Sequence, residues 1–340
     1  MTKSLTCLAL AAMLSTGLAA ADPRADFLKL IGHPPVSLAP EVKNLPAGND
    51  LTQLAFSYAA DADNRVPGLL LKSTSAPAGR RPVVIVLPGT GGTKEAELPY
   101  MTDLVHDGFV AVSIDGRYHG ARTKAGKGSV EYVDAILKTF RTGQEHPFFF
   151  DTAWDVIRLV DYLETRDDID PKRIGIFGTS KGGIEAYLAA AVEPRLAVVV
   201  PCIAVESFRW AAENNSWQSR IGTVQAAFDA AAKDSGVAKP DGDFVHTFYS
   251  KIAPGIDREF DGPAMVPLIA PRPLLSINGD MDPRTPMPGL QIAAEATRAA
   301  YKAAGAEDKF VLHIQPNTAH QIRPESKVLA RQWFVRWLKP

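Results

Sequence analysis

Apolar residues along this chain switch between two spacings. Pro82-Val-Val-Ile-Val-Leu87 is a run without a polar break, the pattern of a strand covered on both faces, and residues 109–114, 197–205, 272–278 and 309–314 repeat it. Between these runs the spacing becomes helical. Within residues 151–166, Ala153, Val156, Ile157, Val160 and Leu163 recur every three or four positions, and residues 288–304 and 325–338 also read as helices. Residues 51–58 and 66–72 are β-prone and flank Asp61-Ala-Asp-Asn64, which suits a hairpin. With the short apolar run at 173–178, these give eight strands alternating with helices. That order predicts an α/β fold, a mostly parallel eight-stranded sheet with helices on both faces.

Three segments interrupt the alternation. Residues 22–50 carry Pro34-Pro35, Pro40 and Pro46 with little periodicity, and read as a covering arm. A long excursion follows Asp115-Gly-Arg-Tyr-His-Gly120, with a short amphipathic stretch at 130–140 and the aromatic knot Phe148-Phe149-Phe150. Residues 206–268 are aromatic-rich and mostly helical in pattern, and read as an inserted small helical cap. The amino end reads as an export signal over residues 1–21: Lys3 gives a positive start, residues 5–14 an apolar core, and Ala19-Ala20-Ala21 a small-residue cleavage site before Asp22. Its apolar core falls short of the roughly 20 residues of a spanning helix, so an exported protein without stable membrane insertion is expected, with one domain over residues 22–340.

Composition narrows the picture. A hydrophobic content of 46% over 340 residues suffices for a large core. Lys+Arg 37 against Asp+Glu 38 leaves no basic run, so nucleic acid is not an expected partner. Past the leader only Cys202 remains, so an internal disulfide cannot form. Neither a phosphate-loop spacing nor a zinc motif fits the chain, and neither metal nor cofactor is expected. Nothing in the sequence speaks to oligomeric state.

Candidate chemistry centres on Gly178-Thr-Ser-Lys-Gly182, which interrupts an apolar run and opens a helical pattern. A serine in a sharp strand-to-helix turn exposes its hydroxyl above a sheet, and small residues two places either side allow the tight fold. Ser180 then needs a base and an acid that orients it, following it in the order acid, histidine. Of the seven histidines, His313 lies inside a strand run, whereas His320 follows the last strand on a turn-rich loop and is the expected base. Past the seventh strand, Asn278-Gly-Asp-Met-Asp-Pro283 offers two carboxylates. Asp282 is the expected acid, Asp280 a turn or cap residue, and Glu206 a third choice. An oxyanion requires backbone N–H donors, and those of Lys181 and Thr90 are expected, the latter in Gly89-Thr-Gly-Gly92. Arg117 and His119 read as a bracing network on that side of the site. Trp210 and Trp217 are the cap aromatics expected against the substrate.

Together with Leu87-Pro-Gly-Thr-Gly-Gly92, Asp115-Gly-Arg-Tyr-His-Gly120 and Ala319-His320, these motifs make the chain resemble the dienelactone hydrolase and acetyl xylan esterase branch of the α/β-hydrolase superfamily over roughly residues 50–338. The resemblance implies a cofactor-free hydrolase with Ser180, Asp282 and His320 as its triad. The expected reaction is cleavage of a small-molecule or carbohydrate-linked carboxylic ester through an acyl-enzyme. The rivals are a serine peptidase similar to the prolyl oligopeptidase catalytic domain and a non-catalytic ligand-binding relative. Three positions depart from the branch: dienelactone hydrolases proper use cysteine where Ser180 stands, Pro88 replaces a histidine common before the oxyanion glycine, and Lys181 replaces a more usual apolar or neutral neighbour of the nucleophile.

Overall fold

The computed structural model describes residues 22–48, 50–75, 79–124 and 129–339, so the expected export signal and Cys7 lie outside the described residues. Its sheet has nine strands, not eight: β1 (Glu41–Leu45), β2 (Leu51–Ala59), β3 (Arg65–Ser73), β4 (Arg81–Leu87), β5 (Val110–Ile114), β6 (Ile169–Thr179), β7 (Leu196–Cys202), β8 (Leu274–Gly279) and β9 (Phe310–Gln315). They lie in the order β1-β2-β3-β5-β4-β6-β7-β8-β9. From β5 to β9 every neighbouring pair is parallel, while β1, β2 and β3 join antiparallel at one edge. The β2–β3 hairpin closes at Asp61-Ala-Asp-Asn64, where Asp61 Oδ1 accepts from the Asp63 amide and the Asn64 side chain. The strand missing from the sequence reading is β1. It is an edge strand with almost every side chain exposed, so neither alternation nor an apolar run marks it.

The arm preceding β1 also contains an unforeseen helix, α1 (Pro23–Ile31), started by Asp22, which accepts from the Arg24 amide, with Pro23 at its first position. Phe27 is wholly buried against Phe150 and Phe260, each with ring centres 5.0 Å away. Arg24 caps carbonyls of Ala191 and Leu268. Two buried residues, Phe27 and Ile31, in nine are too sparse a pattern to read as helical periodicity.

Alternation along each strand divides the apolar residues between two cores. On β4, Val83, Ile85 and Leu87 face one and Val84 and Val86 the other. The second core is closed by α2 (Leu98–His106) and by the last helix. The first takes α3 (Ser129–Thr142), α4 (Phe150–Glu164) and α5 (Lys181–Val192), and is completed by the segment between β7 and β8. That segment holds α6 (Phe208–Glu213), α7 (Gln218–Ile221), α8 (Gln225–Asp234), α9 (Gly242–Ile252) and α10 (Gly262–Met265). The chain ends with α11 (Met287–Ala303) between β8 and β9 and α12 (Pro324–Leu338) after β9. All residues of α5 are buried, and its alanines let neighbours approach closely on every side. No helix among the described residues is long and apolar enough to cross a membrane.

A buried charge cluster fastens the long excursion after β5. Asp155 on α4 is fully buried and takes Arg117 Nε at 3.2 Å, Arg117 Nη2 at 3.1 Å and Arg122 Nη1 at 2.5 Å. Arg117 also reaches Asp61 at the hairpin, at 2.9 Å. Burial alone would push the Asp155 carboxyl up, yet the two guanidinium groups hold it below the ordinary aspartate range. Replacing Asp155 with alanine is therefore expected to cost about 3–5 kcal/mol, because it strands a buried guanidinium. Urea denaturation of Asp155→Ala beside wild type measures it, and a loss under 1 kcal/mol would mean that the cluster is not a structural clamp.

Candidate active site

Strand β6 delivers Ser180 into a backbone conformation of φ 54°, ψ −114°, far from either neighbouring element. Three glycines permit it through close approach. A Cβ on Gly178 would lie 2.1 Å from the Gly182 carbonyl oxygen, one on Gly182 2.4 Å from that of Leu87, and one on Gly183 2.5 Å from the Ala204 side chain. The Ser180 amide donates to the Cys202 carbonyl at 2.9 Å, which pins the turn to β7.

His320 Nε2 lies 2.8 Å from Ser180 Oγ, and His320 Nδ1 lies 2.8 and 2.9 Å from the two Asp282 carboxylate oxygens. Asp282 also accepts from the Arg284 amide and the Thr285 hydroxyl, each at 2.8 Å. Burial opposes its charge, but the hydrogen bond and charge of His320, with these two donors, hold its carboxyl below the ordinary range. Asp282 thus stays ionised and orients an imidazole whose other nitrogen faces the serine hydroxyl. The structure brings these three residues together although His320 and Ser180 are 140 positions apart.

The other two carboxylates of the sequence reading have separate engagements. Asp280 accepts from the Thr318 amide at 3.0 Å, while the Met281 amide donates to the Thr318 carbonyl, so the loop after β8 is tied to the loop that carries His320. Glu206 is fully buried and paired with Arg220, and burial pushes its carboxyl up to about 7 against that pairing. Neither Asp280 nor Glu206 bonds to His320. His313 bonds to Ser326 at 3.2 Å.

On the opposite side of Ser180, the Gly92 amide donates to the Gly89 carbonyl at 2.9 Å. This turn leaves Thr90 and Gly91 at its tip, and Gly91 takes φ 78°, which only glycine adopts without strain. Thr90 lines the cleft above Ser180. Lys181 is the first residue of α5, where an amide has no partner within the helix. Its side chain turns inward: the ammonium pairs with Glu185 one turn along, both nearly fully buried, and lies 5.5 Å from the centre of the Tyr132 ring. Burial raises the Glu185 carboxyl, and the Lys181 charge counters it. His119 packs beside this pair, its Nδ1 donating to the Arg117 carbonyl at 2.7 Å, and burial with the Lys181 charge lowers its pKa to about 3.

A cleft of about 580 Å³ opens onto Ser180 and His320. Trp210 and Trp217, expected to face a substrate, do not line it. Trp210 packs against Gly289, and the Trp217 ring lies 5.3 Å from that of Phe228 within the helical segment. Trp217 thus serves the segment's own core, and Trp210 packs the segment against α11. Glu97, Thr223, Arg284 and Lys327 line the cleft instead and were not singled out from sequence. Arg284 alone had a local signal, two residues beyond Asp282.

Residues 73–305 match the model of a family described as glucuronyl esterase, fungi. The chain is 32% identical over 233 residues to the 4-O-methyl-glucuronoyl methylesterase of Podospora anserina, a match covering 67% of this chain and 43% of that protein. It is 26% identical over 239 residues to YtaP of Bacillus subtilis (strain 168), whose name calls it a hydrolase, covering 70% of this chain and 68% of that protein. This chain thus spans less than half the length of the fungal relative. Acetyl xylan esterase 1 from Thermoanaerobacterium sp. has the same fold, with TM-score 0.66 at 18% identity and 94% of each chain covered.

The Lys181–Glu185 pair supports a test by pH. Lys181→Met leaves a buried carboxyl with no counter-charge, so its folded-state pKa lies above the unfolded value. The native state then binds more protons than the unfolded one above the ordinary glutamate range, and stability falls as pH rises, by up to about 1.4 kcal/mol per pH unit. Urea midpoints of Lys181→Met at pH 5 and pH 8 should show this decline, and adding Glu185→Gln should abolish it. Equal slopes in the two variants would refute the pairing.

Proposed function

The chain belongs to the glucuronyl esterase family of ester-bond hydrolases, and from that premise we propose that it cleaves carboxylic esters borne by carbohydrates. The observation that carries the mechanism is the 2.8 Å contact between Ser180 Oγ and His320 Nε2 at the floor of an open cleft, with Asp282 behind the imidazole. Ser180 attacks the ester carbonyl as His320 takes its proton, and Asp282 steadies the imidazolium. The amides of Lys181 and Thr90 receive the oxyanion, a contribution of roughly 3 kcal/mol for each donor. His320 then protonates the departing alcohol. Water, deprotonated by His320, attacks the acyl-enzyme and releases the acid, which restores Ser180.

The cleft and the relatives support this substrate class. The cleft walls are polar, with Thr90, Thr223 and Gln321 offering hydrogen bonds suited to hydroxyl groups and no large aromatic among the described lining residues. By their names, the Podospora anserina relative acts on glucuronoyl methyl esters and the Thermoanaerobacterium structural neighbour on acetyl xylan, both carbohydrate esters. Residues 206–268 serve as a cap, since Gly222 and Thr223 from this segment form one wall. Residues 1–21 carry the composition of an export signal, which would deliver the enzyme to extracellular polymer.

Incubation with a fluorophosphonate probe and with an aryl acetate tests this reading. Wild type should be labelled and active. Ser180→Ala and His320→Ala should lose labelling and on the order of 10⁴-fold or more in kcat, and Asp282→Asn about 10⁴-fold, with folding unchanged by circular dichroism. A wild-type protein neither labelled nor active on simple esters or on methyl glucuronate would end the esterase reading. Full activity in Asp282→Asn would remove that residue from the mechanism alone.

A further inference from the structure

The cleft above Ser180 carries positive charge that ester hydrolysis does not use. Arg284 lies on its wall, half-buried, two residues beyond the acid. Its backbone amide is engaged by the Asp282 carboxylate, but its guanidinium has neither a hydrogen-bond nor an ion-pair partner among the described residues. It lies beside the end of α7, where Nη1 is 3.5 Å from the place a Cβ on Gly222 would occupy. The buried arginines Arg117, Arg122 and Arg220 differ in each being held by a carboxylate. Lys327 of α12 also lines the cleft, its ammonium 6.0 Å from the centre of the Tyr100 ring and without a carboxylate partner among the described residues.

Negative charge in the cleft does not balance these two. Glu97 is the acid lining it among the described residues, and burial raises its carboxyl, with the Lys327 charge acting the other way. Asp282 lies behind His320 and is committed to it. A guanidinium has five donors in a planar fork that matches a carboxylate in two parallel hydrogen bonds, and one left open beside a reaction centre is a ready anion receptor.

We propose that Arg284, seconded by Lys327, binds a free carboxylate that the substrate carries near its scissile ester. This inference rests on the esterase reading and narrows it: the substrate is an ester of an acidic carbohydrate that keeps another carboxyl group ionised, and a neutral ester is handled less well. The guanidinium seats the anion while Ser180 attacks the neighbouring ester carbonyl, so the loop after β8 supplies both a recognition residue, Arg284, and the acid behind His320, Asp282.

The test compares 4-nitrophenyl monoesters of succinate, glutarate and adipate, each with a free carboxylate, with neutral 4-nitrophenyl alkanoates of matched chain length. In wild type at least one pair should favour the anionic ester in kcat/KM by about tenfold or more, a preference that shrinks as salt rises. Arg284→Gln should bring that ratio down toward one, mainly through KM of the anionic ester. Arg284→Lys should keep part of it, and Lys327→Gln should lower it less than Arg284→Gln. Melting temperatures of the variants separate loss of binding from loss of fold. A wild type that prefers the neutral ester in every pair overturns the proposal. So does an Arg284→Gln variant that loses the same factor on both esters, which would leave Arg284 as support for the Asp282 loop. Activity on neutral esters would then still uphold the esterase reading, whereas no turnover of any ester would end both.

Discussion

Backbone crowding at the turn between β6 and α5 is the constraint on which the rest of this structure depends. Ser180 adopts φ 54°, ψ −114°, a conformation that costs a non-glycine residue on the order of 1–3 kcal/mol. It persists because its surroundings leave no alternative. Gly178 and Gly182 let backbone touch backbone, Gly183 lets α5 rest on Ala204, and the Ser180 amide is held by Cys202. Each contact ties the serine to a different element: β4 through Leu87, β7 through Cys202, and α5 through its own first turn. The all-round burial of α5 offsets the strain and fixes the direction in which the hydroxyl points.

Around that turn charge is buried in closed pairs. Lys181 faces Glu185, Lys94 faces Asp115 at 2.6 Å, Arg220 faces Glu206, and Asp155 gathers Arg117 and Arg122. Such pairs add little net stability compared with apolar packing, but each fixes a geometry because a misplaced charge is expensive. The pairs at Asp115 and Asp155 fold the excursion after β5 down beside the Gly89–Gly92 turn. Asp282 and His320 differ in that one end of their pair meets the cleft, where its hydrogen bonding can change partner.

Much of this was legible in the sequence wherever one physical cause dominates a stretch. Apolar runs gave β4, β5, β7, β8 and the buried end of β6, because two-sided burial leaves little room for polar residues, whereas β9, at the sheet edge and only partly buried, has a run broken by His313. The order of a serine turn, a carboxylate loop and a histidine loop located Ser180, Asp282 and His320, because a parallel sheet delivers successive loops to one edge. The rest depends on contacts between distant segments. Exposed β1 and sparsely anchored α1 carry no periodic signal. The inward turn of Lys181 is set by Glu185 and Tyr132, and the aromatics Trp210 and Trp217 could have faced either way until Phe228 and Gly289 were in place. Lys181, the unusual residue beside Ser180 in the motif, proves to be an internal strut.

Strand β1 has one further consequence. It pairs along its whole length with β2, with Glu41 opposite Ser57 and Leu45 opposite Gln53, yet contributes almost nothing to either core. Open sheets risk growing by recruiting another chain along an unpaired border, and β2, with its alternating buried residues, would be a template for such growth. A short, charged ribbon bracketed by Pro40 and Pro46 now occupies that border, and prolines offer no N–H to a newcomer. Five residues that do little for folding stability thereby cover a border along which a second chain could otherwise pair.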